Sequence, residues 1–376
     1  MSFLLVRKEF FGCTLFDSSN CNRFHLNKEE YTIFCNTKTL PNDVFIDLDS
    51  KKIIFINNEL DLCDNFSSPN IVFFEITDKC NLNCSYCLND SNKNNSNFVS
   101  MEDFKMIIDE LFLFGVQELR LTGGEPMLNP FIFEMIEYAS NLGMYLSIGT
   151  NATILNEDSI RKMATIGLKK AVVSLDGLPE INSVSRSEYY TFYKILENIS
   201  LFLKYNIKVK LNIVVSKINF KNIKDLLYLI EEKSLNVDIF LRRYISTGRG
   251  TNDFSITSDE YSWLCSDLSY FINRGLVKGH AILEEKKISR ISLPFYVNSC
   301  SMGQTAIVID SFLNLKLCGF LEEKLFNLRN KNISDMWIKI NSNKKFKTHS
   351  EELIMEYNKK YNKNTFCYAE ALYGGV

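Results

Sequence analysis

Histidine is nearly missing from this chain: three of 376 residues, His25, His280 and His349, and none beside a motif. No imidazole therefore presents itself as acid, base or member of an H-x3-H metal set. An excess of one charge is missing too. Lys and Arg number 43 against 45 Asp and Glu, a formal net charge of −2. The basic pairs Arg242-Arg243 and Lys344-Lys345 are too short to form a nucleic-acid footprint. No apolar run approaches the ~18 residues of a membrane span. The opening MSFLLVRKEFFG turns to charge after a few apolar residues, with no h-region or small-residue cleavage site, so a cytoplasmic protein is expected. What the chain does have is core material: 46% hydrophobic and 23% charged residues, in a length exceeding one average domain.

There are 11 cysteines. An odd number without an export signal argues against a disulfide framework, and clustered thiols in a reducing compartment point to metal. Three are clustered, Cys80, Cys84 and Cys87; the other eight are scattered, and Cys13, Cys21, Cys35 and Cys63 have no ligand spacing.

The chain divides by rhythm. Residues 1–69 read as a small α+β unit. LLVRKEFF and CTLFD predict a hairpin, FHLNKEEYTIF a helix starting near Asn27, and VFIDLDSKKIIFI two strands around a D-S-K-K turn. From residue 70 to 245, strands are separated by ten to fifteen helical residues. Right-handed βαβ units and a parallel sheet follow. Six such units are too few for a closed eight-stranded barrel and suit an open α/β barrel, a partial (β/α)6 TIM-like fold with reacting groups at the C-terminal strand ends. Residues 246–290 read as a Gly-containing loop and helix, and 291–376 as a separate C-terminal module with a hairpin, a short helix and a polar tail.

Directly after the first core strand comes Cys80-Asn81-Leu82-Asn83-Cys84-Ser85-Tyr86-Cys87. Three thiolates spaced C-x3-C-x2-C on one loop can ligate three irons of a cubane cluster and leave the fourth open. A ferredoxin would supply a fourth Cys close by, and structural zinc a closed set of four ligands; neither is present nearby. This motif, with its aromatic before the last Cys, resembles the radical S-adenosylmethionine (SAM) superfamily. The resemblance implies a [4Fe-4S] cluster on Cys80, Cys84 and Cys87, SAM chelated by the open iron, a reducing donor such as flavodoxin or ferredoxin, and a 5′-deoxyadenosyl radical. It places Tyr86 against the adenine. Thr122-Gly123-Gly124-Glu125-Pro126, at the second strand end, is similar to the family's motif for the SAM amino group. Gly149-Thr150-Asn151 resembles its T-N-G, with Ala152 in place of the Gly. Ser174-Leu175-Asp176-Gly177 resembles its S-x-D-G, with Ser174 on the ribose or methionyl part. Arg186 falls where relatives often carry an Arg near the SAM carboxylate, and Asn212 to Val214 would offer backbone edges to the adenine.

The C-terminal module resembles a SPASM or twitch extension with most of its cysteines gone. Cys300, Cys318 and Cys367 either hold one auxiliary Fe–S cluster with a non-Cys fourth ligand, or the module has kept only its fold. The resemblance spans about residues 70–245 with specific motifs and 291–376 with degraded ones. The N-terminal unit loosely resembles the peptide-recognition units of maturases, which add a leader-peptide strand to a sheet edge; a plain sheet extension fits it equally. The whole implies a maturase acting on a ribosomally made precursor peptide, by crosslinking or epimerisation. Two rivals stand beside it: a radical SAM enzyme acting on a sugar or cofactor precursor, and a non-catalytic Fe–S electron carrier.

Overall fold

A computed structural model describes residues 2–56, 66–186, 191–279 and 303–342, together with 355, 356 and 359. Its first unit is a four-stranded sheet, ordered β3-β2-β1-β4. The strands are β1 (Ser2–Glu9), β2 (Gly12–Asp17), β3 (Asn22–Asn27) and β4 (Lys51–Ile56), and one helix, α1 (Lys28–Thr37), lies on them. The predicted hairpin is β1–β2, paired antiparallel. The predicted helix starts where expected, with Asn27 as its N-cap. Asn27 and Glu30 form a reciprocal capping box, and the Phe24-His25-Leu26 stretch before it pairs with β2 as a strand. Only the second half of VFIDLDSKKIIFI is a strand. β4 runs parallel to β1 and takes its free edge, and VFIDL joins no strand. Its alternation still works as packing: Val44 is buried, Ile46 and Leu48 rest on the same core, and Phe45 points outward.

The second sheet has ten strands, ordered β11-β10-β9-β8-β7-β6-β5-β12-β13-β14. Six are the predicted parallel core: β5 (Ile71–Glu75), β6 (Glu118–Thr122), β7 (Tyr145–Thr150), β8 (Lys170–Ser174), β9 (Lys208–Val215) and β10 (Val237–Arg243). The helices between them are α2 (Met101–Phe114), α3 (Ile132–Leu142), α4 (Glu157–Thr165), α5 (Pro179–Ser185), α6 (Thr191–Lys204) and α7 (Ile223–Glu232). Alternate residues face the helices and are buried, as Val209, Leu211, Ile213 and Val215 on β9; the others line the concave side. Ser100 caps α2 through the Asp103 N–H, and Gly115 ends it in the left-handed region.

Beyond the core come α8 (Ser258–Asp267), α9 (Ser269–Asn273) and a short strand, β11 (Val277–Gly279), which pairs parallel to β10. β12 (Ala306–Ile309), β13 (Asn314–Lys316), β14 (Phe326–Asn327) and α10 (Ile333–Ser342) follow. β12 pairs parallel to β5, so the C-terminal hairpin continues the core sheet. Among the described residues no helix is long and apolar enough to cross a membrane.

The N-terminal unit is fastened to the base of the core strands. Fully buried Arg7 donates to Glu9, Ser68 and Asn70 side chains and to the Gly115 carbonyl at the end of α2. Arg23 donates to Gln117 at 2.6 Å, and Phe16 meets Tyr145 edge-on at the start of β7. The base is thus covered, and the motif loops gather at the other end.

Candidate active site

The cysteine loop leaves β5 beside the glycine loop that leaves β6. Gly124 N–H donates to the Thr77 carbonyl and Glu125 N–H to the Lys79 carbonyl, each at 2.8 Å. A Cβ at Gly123, where φ is +139°, would lie 2.1 Å from the Thr77 oxygen; one at Gly124 would lie 2.1 Å from that of Lys79. The close approach these glycines permit is therefore between two protein strands, and it sets where Cys80 starts.

Each thiol has a polar neighbour. Leu82 N–H points at Cys80 Sγ (3.5 Å), the Asn151 amide reaches the same sulfur (3.8 Å), and Ser91 N–H meets Cys87 Sγ (3.3 Å). Cys84 Sγ contacts the Arg186 carbonyl at 3.6 Å. Burial pushes the Cys80 thiol up to about 11 and raises Cys84 as well, so metal must displace protons to bind here. Among the described residues no three His, Cys, Asp or Glu side chains converge on a point that would hold a single ion. Cys80 and Cys87 thus have N–H donors of the kind a thiolate ligand accepts from, while Cys84 faces a carbonyl.

Glu125 is buried beside this loop. Thr150 Oγ1 donates to it at 2.7 Å, Asn151 N–H at 2.8 Å and Met127 N–H at 3.3 Å. Burial nevertheless lifts its carboxyl to about 7. Ala152, standing where a glycine was expected, is fully buried with φ at +57°, a conformation that favours glycine. Asn198 on α6 donates to its carbonyl at 2.8 Å and holds the turn. Pro126 opens the short turn after Glu125.

Asp176 is the hub of the far side. Its buried carboxylate accepts from Tyr86 Oη, from Arg186 Nε and Nη2, and from Val214 N–H at 2.9 Å. Asn219 holds its carbonyl at 2.9 Å. Tyr86 packs edge-on against Tyr244 and Phe254, and the Arg186 guanidinium lies 5.7 Å from its ring centre. α5, which the sequence did not announce, is what delivers Arg186. Ser174 closes β8 opposite Asn212. The Val214 N–H, expected to face adenine, is engaged by Asp176. Asn182, Asn219, Tyr244 and Phe254 also escaped the sequence reading, being common residue types outside any motif.

Residues 74–230 match the family model described as "Radical SAM superfamily". The chain carries a radical SAM domain. It is 25% identical over 292 residues to the AdoMet-dependent heme synthase of Methanosarcina barkeri, a match covering 72% of this chain and 82% of that protein. It is 28% identical over 191 residues to the GTP 3′,8-cyclase of Clostridium perfringens, covering 49% of this chain and 58% of the cyclase. This chain therefore spans little more than half of the cyclase. Among solved structures, Streptococcus suis SuiB bound to its precursor peptide SuiA matches with a TM-score of 0.71 at 18% identity, covering 90% of this chain and 88% of that one. The radical SAM family implies a [4Fe-4S] cluster and SAM, and the α/β partial barrel of the structure agrees with it.

The radical SAM domain has a clamp that no motif announced. Gly248, after β10, sits where a Cβ would lie 2.4 Å from the Cys87 carbonyl oxygen, and the next N–H, from Arg249, donates to that oxygen at 3.0 Å. The Arg249 side chain then reaches Asn83, the Ser91 carbonyl (2.6 Å) and Asp90 (3.3 Å). One side chain thus spans the cysteine loop from both sides of Cys87. Arg249→Ala is expected to speed iron loss from reconstituted protein to a chelator by about an order of magnitude, as lost charge-assisted hydrogen bonds would imply. The circular dichroism spectrum should not change.

Cys318 lies in the turn after β13, and its neighbour Gly319 abuts Leu88 of the cysteine loop. Cys300 and Cys367 lie outside the described residues.

Proposed function

We propose that Cys80, Cys84 and Cys87 each hold one iron of a [4Fe-4S] cluster, and that the chain uses SAM to modify a ribosomally made precursor peptide. The cluster, when bound, supplies the electron that cleaves SAM to a 5′-deoxyadenosyl radical, which takes a hydrogen from the substrate. The residues supply placement. Glu125, with Gly123, Gly124 and Pro126 shaping its loop, accepts the SAM ammonium. Asn151 ties that loop to Cys80. Tyr86, Ser174, Asp176 and Arg186 form the opposing wall for the nucleoside and carboxylate.

The single observation favouring a peptide is the extent of likeness to SuiB, which runs along nine-tenths of the chain and was seen with a peptide bound. In this reading residues 1–69 receive the leader peptide, and a flavodoxin or ferredoxin supplies the electron. A second reading, a small-molecule substrate, is favoured by the sequence relatives, whose names are those of a heme synthase and a GTP cyclase. The deciding experiment supplies anaerobically reconstituted protein with SAM, dithionite and a short peptide encoded beside its gene. A crosslinked peptide loses a pair of hydrogens; an epimerised one takes up deuterium from D2O. Release of 5′-deoxyadenosine with the peptide left unmodified overturns the peptide reading and turns the search to small molecules.

The Glu125 role has a pH signature. A carboxyl held near 7 is largely protonated at pH 6 and must give up its proton to pair with an ammonium. SAM affinity should therefore rise with pH between 6 and 7.5, with a slope approaching about tenfold per unit at the acid end. In Glu125→Gln it should be weaker and flat. Isothermal titration of reconstituted protein across this range checks it; a flat wild-type profile removes the assignment.

A further inference from the structure

Glu75 ends β5 on the concave side of the half-barrel. Val72 and Phe74 pack among the core residues, so Ile71, Phe73 and Glu75 share the other face, where the Arg120 guanidinium lies 4.8 Å from the ring centre of Phe73. Thr122 pairs with Glu75 on β6. Gly149 comes next, and a Cβ there would lie 3.2 Å from Thr122 Oγ1, so small side chains flank Glu75 on this side. On the other side stands the C-terminal hairpin. Its Lys316 pairs with Val308, and Val308 with Phe73, which puts Lys316 on the same face. Glu75 is half-buried at the mouth, between the cysteine loop and the hairpin and three strands from Ser174 on β8.

Other carboxyls of the core are tied into the protein. Glu125 accepts from Thr150, Asn151 and Met127, and Asp176 from Tyr86, Arg186 and Val214. Asp310, after β12, accepts from the N–H groups of Phe312 (2.9 Å) and Asn314 (2.8 Å), and the Asn314 amide meets both of its oxygens. Glu75 differs. Among the described residues it accepts one hydrogen bond, from Asn89 Nδ2 at 2.9 Å, two residues past Cys87. A buried carboxyl that serves only structure gathers donors; this one keeps an oxygen for something else. Burial pushes its carboxyl up to about 7, against Lys316 and the Asn89 bond; Asp310 adds to the rise and Lys324 opposes it. A group that titrates there exchanges protons readily near neutrality.

We propose that Glu75 is a catalytic base, which touches the substrate held in the half-barrel and takes a proton from it once the neighbouring carbon has lost its hydrogen atom. The step is a proton transfer alone. The bond from hydrogen to the substrate's N, O or C breaks, its electron pair stays on the substrate, and a new bond forms from that hydrogen to a Glu75 carboxylate oxygen. No electron leaves the substrate in this step, so it needs no oxidant. The inference rests on the proposed radical SAM reading, in which the substrate enters the barrel. It adds the base, and with it a requirement on the substrate: an exchangeable hydrogen beside the reacting carbon.

The first arm of the test needs no turnover. Reconstituted full-length protein is treated with diisopropylcarbodiimide, an uncharged reagent that adds to protonated carboxyls, and the adducts are mapped by mass spectrometry. At pH 7 Glu75 should be labelled at least about tenfold faster than exposed Glu134 on α3, and the rate should fall about tenfold per unit above pH 8. SAM should not protect it. No label at Glu75, or protection by SAM alone, overturns the proposal. The second arm uses the peptide encoded beside the gene. Glu75→Gln keeps the acceptor for Asn89 but removes the titrating proton. It should lower the ratio of modified peptide to 5′-deoxyadenosine at least about tenfold, and Glu75→Asp should restore part of it. In the wild type that ratio should rise from pH 6 to 7.5, because the base works as the carboxylate; in Glu75→Gln it should stay flat. A role confined to holding the cysteine loop would lower both products together, and an unchanged ratio overturns the proposal. If the wild type releases no peptide-dependent 5′-deoxyadenosine, the peptide reading fails, and the labelling alone decides for Glu75.

Discussion

Iron should fall from about four atoms per chain to none when Cys80, Cys84 and Cys87 are all replaced by Ala, and SAM cleavage should stop with it. The expectation rests on how the loop is held. Its entry is zipped to the glycine loop by the Thr77 and Lys79 carbonyls, and its exit is clamped by Arg249. The frame is thus made by residues other than the thiols, and the triple variant should fold normally. Three outcomes are informative. Full loss of iron means one cluster. Retention of about four irons from a starting eight means a second cluster elsewhere, which favours an oxidative crosslink. A wild type that binds iron but cannot cleave SAM contradicts the proposed activity. Iron and sulfide analysis with a 5′-deoxyadenosine assay decides among them.

The second large effect is on stability. Asp176→Ala should cost about 3–5 kcal/mol, because it leaves the buried Arg186 guanidinium without its counter-charge. The Tyr86 hydroxyl and the Val214 N–H lose their acceptor in the same change. Urea unfolding of the metal-free chain measures it. A double variant, Asp176→Ala with Arg186→Met, should recover much of the loss, since removing both charges costs less than stranding one. If the single variant is as stable as wild type, the hub described here does not hold the far wall. Tyr86 stands between Cys84 and Cys87, so the variant should also loosen the cysteine loop, seen as faster iron loss.

The sequence made the strand-end loops readable because their chemistry is local. Cysteine spacing, paired glycines and S-L-D-G each sit within a few residues, directly after a strand whose alternation is plain. It also located six core strands, the start of α1 near Asn27 and a short helix in the C-terminal module. What it missed depends on distant partners. Arg249 clamps a loop more than 150 positions earlier, and Asn219 reaches Asp176 across two strands; nothing near either residue hints at this. VFIDL has the alternation of a strand, but its apolar side packs on the core of the first unit without joining the sheet. Gly123 and Gly124 stood out in the sequence as part of the SAM-amino motif, and the atoms packed against them are backbone carbonyls of this chain.

β12 has a consequence for the cysteine loop. A half-barrel that opened on β5 would carry that loop on a boundary strand, with a row of bare amides facing outward. Here β5 has a neighbour on each side, β6 and β12. The segment that positions the thiols is therefore paired on both sides, and no foreign strand can zip onto it. Its second neighbour is supplied by residues 306–309, more than two hundred positions downstream. A chain emerging from the ribosome cannot complete the surroundings of the cysteine loop until residues 306–309 have been made.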